Sequence, residues 1–339
     1  MPLSFPFSSV RRRIPSLRRF GTRLRFGILL SLAGIVSGCV DGGSRPSGDR
    51  PQVVATTGMI ADLAARLGGE GIRVVGLMGP GIDPHVFKAS AGDLRELAQA
   101  DLILYNGLHL EAALSDVLEG MQGRIRTRAV TSGIPDAVLI PSEAFQGAPD
   151  PHVWMDVILW MEAARVIATE LMALHPEDAE GIQARAEALF AELQELDEWI
   201  RAELARVPAP RRILLTAHDA FHYFGRAYGF EVKGLQGIST VAEAGARDVQ
   251  ELARFILERE VPALFVESSI SPRTMEAVRA AVRAQGGAVE LGGTLFSDAL
   301  GSSGTPEGTY IGMIRHNVRT LVEALSATSA PGSSSGSLR

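Results

Sequence analysis

Residues 177–206 contain one glycine, Gly181, and are rich in Ala, Glu, Leu and Arg. Ala186, Leu189, Phe190, Leu193, Leu196, Trp199 and Ile200 recur at intervals of three and four, the spacing of one helical face. A helix of about 30 residues spans roughly 45 Å, which is long for a globular domain. Pro176 stands at a helix-starting position, and Pro208 and Pro210 close the run. Two readings follow: one rigid strut between domains, or two ordinary helices separated by a bend.

Strand-like and helix-like segments alternate on both sides of this run. Before it, Val53–Ala55, Ile72–Met78, Leu102–Tyr105 and Ala137–Ile140 read as strands. Ser90 to Asp93 has the pattern of a capping box opening a short helix, and residues 157–174 read as another helix. After it, Arg212–Thr216, Ala263–Val266 and Ala288–Leu291 read as strands. Helices are expected from Ser271-Pro272 to Ala284 and from Gly308 to Leu325. Such alternation predicts an α/β fold with mostly parallel sheets. A length of 339 residues, 46% of them apolar, allows two cores.

The N-terminus departs from this pattern. Seven arginines precede the apolar run Phe26–Val36, which is too short to span a membrane as a helix and ends in Val36-Ser37-Gly38-Cys39. The order basic, apolar, small is that of an export signal over residues 1–38, and no internal stretch reaches 18 uncharged apolar residues. Cys39 is the only cysteine, so no internal disulfide is available to it. Residues 39–51 form a polar Gly/Ser/Pro tether, and residues 327–339 a Ser/Gly-rich tail expected to be disordered. Loss of residues 1–38 removes seven of 33 basic groups and none of 39 acidic ones, taking the formal charge from -6 to -13. That sign disfavours nucleic acid and attracts cations.

Two short segments echo each other: Asp83-Pro84-His85 and Asp150-Pro151-His152. Proline stiffens the backbone ahead of each imidazole. His218 follows the strand-like Ile213–Thr216, and Asp298 follows Leu291–Ser297, both at carboxyl ends of strands where open α/β sheets place ligand sites. Three imidazoles and one carboxylate suit Zn²⁺ or Mn²⁺. The separations of 67, 66 and 80 residues match no short metal motif.

The segments VVATTGMIADLAARLGG, GIDPHVFKAS, DLRELAQADLILYNGLHLE, DPHVWMD, LLTAHDAFHYFGRAYGF, GISTVAEAG, LFVESSI and LFSDALGSSGTPEGTYIGMIRHN occur in that order across roughly residues 52–326. Together they resemble the solute-binding proteins of bacterial zinc and manganese ABC transporters, including lipoproteins once described as adhesins. The resemblance implies two similar α/β lobes with mostly parallel sheets joined by a long rigid helix: residues 52–175, the linking helix 176–207, and residues 208–326. It implies His85, His152, His218 and Asp298 as metal ligands. It also implies Cys39 as a lipidation site, exposure in the periplasm or at the cell surface, and an ABC permease with its ATPase as partner to a monomer.

In the same family the third ligand is glutamate in many manganese-directed members and histidine in zinc-directed and some mixed-use ones. His218 therefore points to zinc, whereas the chain lacks the His-rich loop of many zinc-specialised members between residues 110 and 150. Among the remaining candidates, His222, Asp156, Asp219 and Glu267 are placed around the ligands, and His109, His175 and His316 at the periphery or in packing. Four protein donors saturate a tetrahedral site, which favours carrying the ion over catalysis; a surface adhesin and a periplasmic metallohydrolase are the alternatives. Release is expected to need a shift of domain contacts or of loops near His218 and Asp298, modest in extent if the long helix is rigid.

Overall fold

The computed structural model describes residues 50–142 and 147–326; Cys39, the export signal, most of the tether and the C-terminal tail lie outside the described residues. Four strands, β1 (Gln52–Ala55), β2 (Arg73–Gly76), β3 (Leu102–Tyr105) and β4 (Arg126–Ala129), form a parallel sheet in the order β2-β1-β3-β4. Helices α1 (Gly58–Gly68), α2 (Ala91–Gln99) and α3 (Ser115–Met121) accompany them. Two further parallel pairs follow later in the chain: β5 (Ile213–His218) with β6 (Glu231–Gln236), and β7 (Ala263–Glu267) with β8 (Glu290–Leu295). Their helices are α6 (His222–Tyr228), α7 (Ala246–Arg259), α8 (Arg273–Ala284) and α9 (Tyr310–Ser326).

Between the two lobes run α4 (Val157–Leu174) and α5 (Ala179–Leu204). The glycine-poor segment is one helix of 26 residues, about 39 Å long, and not two helices with a bend. A short 3-10 turn at Pro176–Asp178 leads into it. Ile182, Ala186, Leu189, Leu193, Leu196, Ile200 and Leu204 form its buried stripe. One polar group shares that face: Asp197 takes two bonds from Arg201, at 2.8 and 3.2 Å, and one from the Tyr228 hydroxyl at 3.0 Å. This buried carboxylate is therefore fully partnered, as burial requires.

Alternation along the strands distributes the apolar side chains. Val53 and Ala55 of β1, Leu102 and Leu104 of β3, Leu214 of β5, and Ala263 and Phe265 of β7 enter a single core with α1, α4, α5 and α9. Their neighbours Val54 and Ile103 face a second core with Leu97 and Leu118 of α2 and α3. Leu215 and Leu264 face a third core with Ile256 of α7 and Val278 of α8. Both lobes thus close on the long helix. None of the helices among the described residues is long and apolar enough to cross a membrane.

One expectation needs correction. Ala137–Ile140 is not a strand: Asp136–Val138 forms a 3-10 turn, and the Ile140 amide donates to the Tyr223 hydroxyl at 3.0 Å. The fourth strand is instead Arg126–Ala129, whose polar residues hid it; at the sheet edge it pairs on one side only and tolerates charged side chains. The capping box at Ser90 is present, with its hydroxyl accepting from Gly92 and Asp93 while Asp93 accepts from the Ser90 amide at 2.7 Å. Ser90→Ala is expected to cost about 1 kcal/mol in urea unfolding, and Leu193→Ala about 2–5 kcal/mol. A loss below about 1 kcal/mol for Leu193→Ala would mean that α5 does not carry the shared core.

Candidate metal centre

The strands deliver the four distant residues to one point. His218 is the last residue of β5, Asp298 follows β8, and His85 lies in the segment after β2. His152 sits ahead of α4, where Asn106, just past β3, donates its side-chain amide to the Pro151 carbonyl at 3.1 Å. One donor atom from each of the four lies within 4.8 Å of the others. His85 Nε2 and His152 Nε2 face each other at 3.2 Å; His218 Nε2 is 3.1 Å from Asp298 Oδ2, and His152 Nε2 is 3.5 Å from Asp298 Oδ1. His85 Nε2 is 3.7 Å from Asp298 Oδ2; a tetrahedral ion bound at about 2.0–2.1 Å separates its donors by roughly 3.4 Å, so these four spacings are close to the edges of such a polyhedron.

Burial makes the arrangement informative. His152 and His218 are 0% exposed, Asp298 2% and His85 4%. Both oxygens of Asp298 and Nε2 of His218 are buried without a hydrogen bond. Buried polar atoms are rarely left so, and a divalent cation at the centre would satisfy the inward-facing ones. The donor set, three imidazole nitrogens and a carboxylate, fits Zn²⁺ or Mn²⁺.

Electrostatics separates the imidazoles. Burial pushes His85 down to about 3, helped by the neighbouring His152 and His218 rings and opposed by Asp298, so it presents a free lone pair at neutral pH. Burial would also lower His218, but the carboxylates of Glu267 and Asp298 raise it well above its ordinary value. Asp298 would be raised by burial, yet the three imidazoles, His218 foremost, hold it below the usual carboxylate range.

Outer carboxylates orient two of the rings. Glu267, the last residue of β7, accepts from the His218 amide at 2.8 Å and places its other oxygen 2.6 Å from His218 Nδ1. Asp150 stands 2.8 Å from His152 Nδ1 and 3.2 Å from His222 Nδ1. Sequence reasoning named Glu267 but not Asp150, although the Asp-Pro-His echo held the signal. In both copies the aspartate accepts from the amide of the histidine two residues on, at 2.8 and 2.9 Å, an Asx turn that aims the imidazole.

The other candidates fall elsewhere. His222 opens α6 and reaches the centre only through Asp150. Asp156 caps α4, accepting from Ile158 and Leu159. Asp219 accepts from the Gly234 amide and so braces β6. His175 pairs with Glu177 at 2.9 Å, His316 contacts the Thr294 carbonyl at 3.0 Å, and His109 lines a cavity with Tyr105 and Glu119.

Residues 53–324 match the family described as ZnuA, zinc-uptake complex component A, periplasmic. The chain belongs to this family. It is 49% identical over 276 residues to the zinc-binding protein TroA of Treponema pallidum (strain Nichols), covering 81% of this chain and 89% of that protein. It is 46% identical over 292 residues to the manganese-binding lipoprotein MntA of Bacillus subtilis (strain 168), covering 86% and 95%. The solved structure of the periplasmic zinc-binding protein TroA from Treponema pallidum superposes with a TM-score of 0.81 at 48% identity, over 82% of this chain and 100% of that one.

Within this zinc-uptake family fold, Asp150 works by fixing the ring of His152. Asp150→Asn is expected to weaken Zn²⁺ binding roughly 10–100-fold while keeping its stoichiometry. Competitive titration against a fluorescent chelator checks this, and an unaltered affinity would remove Asp150 from the centre.

Proposed function

We propose that this protein captures Zn²⁺, or Mn²⁺, outside the cytoplasmic membrane and delivers it to an ABC permease driven by its ATPase. The observation that carries this reading is the convergence of His85, His152, His218 and Asp298 at a point closed to solvent. Four protein donors fill a tetrahedral shell and leave no place for an activated water, so the ion is cargo and not a catalyst. Zinc ranks ahead of manganese because His218 supplies a third nitrogen, and nitrogen-rich sites bind Zn²⁺ more tightly than Mn²⁺. The relatives' names point both ways, one a zinc-binding and one a manganese-binding protein.

The same reading divides the chain into residues 52–175 and 208–326 as the two metal-binding lobes, with 176–207 as their link. Residues 1–38 act as the export signal. Cys39 carries lipid, and residues 39–51 tether a monomer to the membrane. The tail is residues 327–339.

Replacement of one donor is the direct test. His152→Ala is expected to abolish tight one-to-one binding of Zn²⁺ and Mn²⁺ in calorimetric titration, and unchanged stoichiometry and affinity would overturn the site. Acid also acts on it. His218 holds a proton more tightly in the ion-free fold than in the unfolded chain, whose ordinary value is 6.5. This proton stabilises the ion-free fold below that value, and its contribution is lost as pH rises through the folded value. Because the ion takes the lone pair that the proton occupies, apparent affinity is expected to fall on acidification from about pH 7.5 to 5.5. Titrations at stepped pH measure the slope; a flat profile would show that no proton leaves on binding.

A further inference from the structure

The four donors are held with unequal firmness. His152 has Asp150 on its outer nitrogen, and its segment is clamped on both sides. The Tyr223 hydroxyl donates to the Asp150 carbonyl at 3.0 Å, Trp154 Nε1 donates to the Ser297 carbonyl at 2.8 Å, and Tyr310 donates to the Trp154 carbonyl at 2.7 Å. His218 is paired within β5, with Glu267 against it. The backbone ahead of Asp298 is gripped by Asn317, which accepts from the Phe296 amide at 2.9 Å and donates to its carbonyl at 2.7 Å.

His85 has no such support. No carboxylate stands at ion-pair distance from its Nδ1 among the described residues, and residues 77–90 form neither helix nor strand. Between Pro80 and Ala89 this segment makes one hydrogen bond to another part of the chain besides the contacts of the His85 ring, again among the described residues. The Thr240 hydroxyl donates to Asp83 Oδ2 at 2.5 Å. Thr240 lies between β6 and α7, in the opposite lobe. The other oxygen of Asp83 receives the His85 amide at 2.8 Å. One carboxylate therefore joins the ligand's backbone to the far lobe. The two Asp-Pro-His copies divide here: Asp150 turns toward its own histidine, and Asp83 turns across the cleft.

An enclosed ion leaves only if some donor moves. The shared core and the clamps about His152 join both lobes, and a wide hinge would break all of them, whereas the His85 segment, packed on its own lobe through Phe87 and Ala89, is tied to the far lobe by a single side-chain hydrogen bond besides its ring contacts. Resting on the carrier function above, we propose that the Thr240 hydroxyl, by holding Asp83, latches the His85 segment over the ion. Release then proceeds by withdrawal of His85 and not by movement of the segments bearing His218 and Asp298. Thr240 is a positioning residue: it touches no ion and acts on the ligand through Asp83.

Stopped-flow transfer of Zn²⁺ from the full chain to a chromogenic chelator tests the latch. Loss of a charge-assisted hydrogen bond in Thr240→Val, which keeps the side-chain volume, is expected to speed release roughly tenfold or more, with binding still one-to-one. Thr240→Ser, which restores the hydroxyl, is expected to release at the wild-type rate. Amide exchange in the ion-free protein supplies a readout independent of metal: residues 79–89 should exchange faster in Thr240→Val than in wild type, with residues 153–155 unchanged.

A Thr240→Val rate within about twofold of wild type, or a Thr240→Ser rate as fast as Thr240→Val, overturns the proposal. If Thr240→Val does not fold, the ion-free wild type still decides. Faster exchange at 79–89 than at 153–155, 213–218 and 294–299 supports the latch, and equal protection overturns it. Absence of Zn²⁺ and Mn²⁺ binding by wild type would instead refute the carrier function, and the latch with it.

Discussion

The apolar stripe of α5 is the constraint on which the other elements depend. Leu189, Leu193, Leu196 and Ile200 contribute to the core that also takes Val53 and Leu104 from one lobe and Leu214 and Phe265 from the other. A chain with two separate cores would be free to hinge about its linker. Here the linker is the centre of the packing, so both sheets are referenced to one rigid axis. The carboxyl ends of their strands then meet at a fixed separation, and that separation is the metal centre.

A fixed geometry explains how a buried set of unbonded donors is tolerated. Two oxygens of Asp298 and Nε2 of His218 are buried without a hydrogen bond, a cost that isolated residues would relieve by turning away. The brace of Asn317 on Phe296, the Glu267 carboxylate behind His218 and the Trp154–Ser297 bond prevent this. His152, His218 and Asp298 are braced in this way, so these three donors need little reorganisation when an ion arrives.

Much of this was legible in the residues themselves. The apolar spacing from Ala186 to Ile200 marked the long helix, although only the packing of its buried stripe in the core shared by both lobes excludes a bend. Ser90 and Asp93 announced their capping box correctly, because capping depends on neighbours in sequence. Arg126–Ala129 was missed because edge strands need not be apolar, and Ala137–Ile140 was misread because its apolar side chains pack without strand pairing. Glu267 was among the carboxylates expected around the ligands, and of the three it alone reaches a ligand ring nitrogen. The role of Asp150 was not legible, because the same Asp-Pro-His sequence leaves Asp83 bonded to Thr240 and only the packed structure sets Asp150 against the imidazole.

By itself the sequence determined the residue types able to bind a divalent cation, the local turns that aim two of the histidines, and the order of helices and strands that brings donors to strand ends. Those properties depend on side-chain chemistry and short-range backbone geometry, which are written along the chain. Only the tertiary structure decided that four donors separated by 67, 66 and 80 residues share one point, and that Asp83 and Asp150, identical in local sequence, have different partners. Those outcomes depend on which distant surfaces the shared core presses together, and burial and distance are properties of the packed molecule that no segment carries alone.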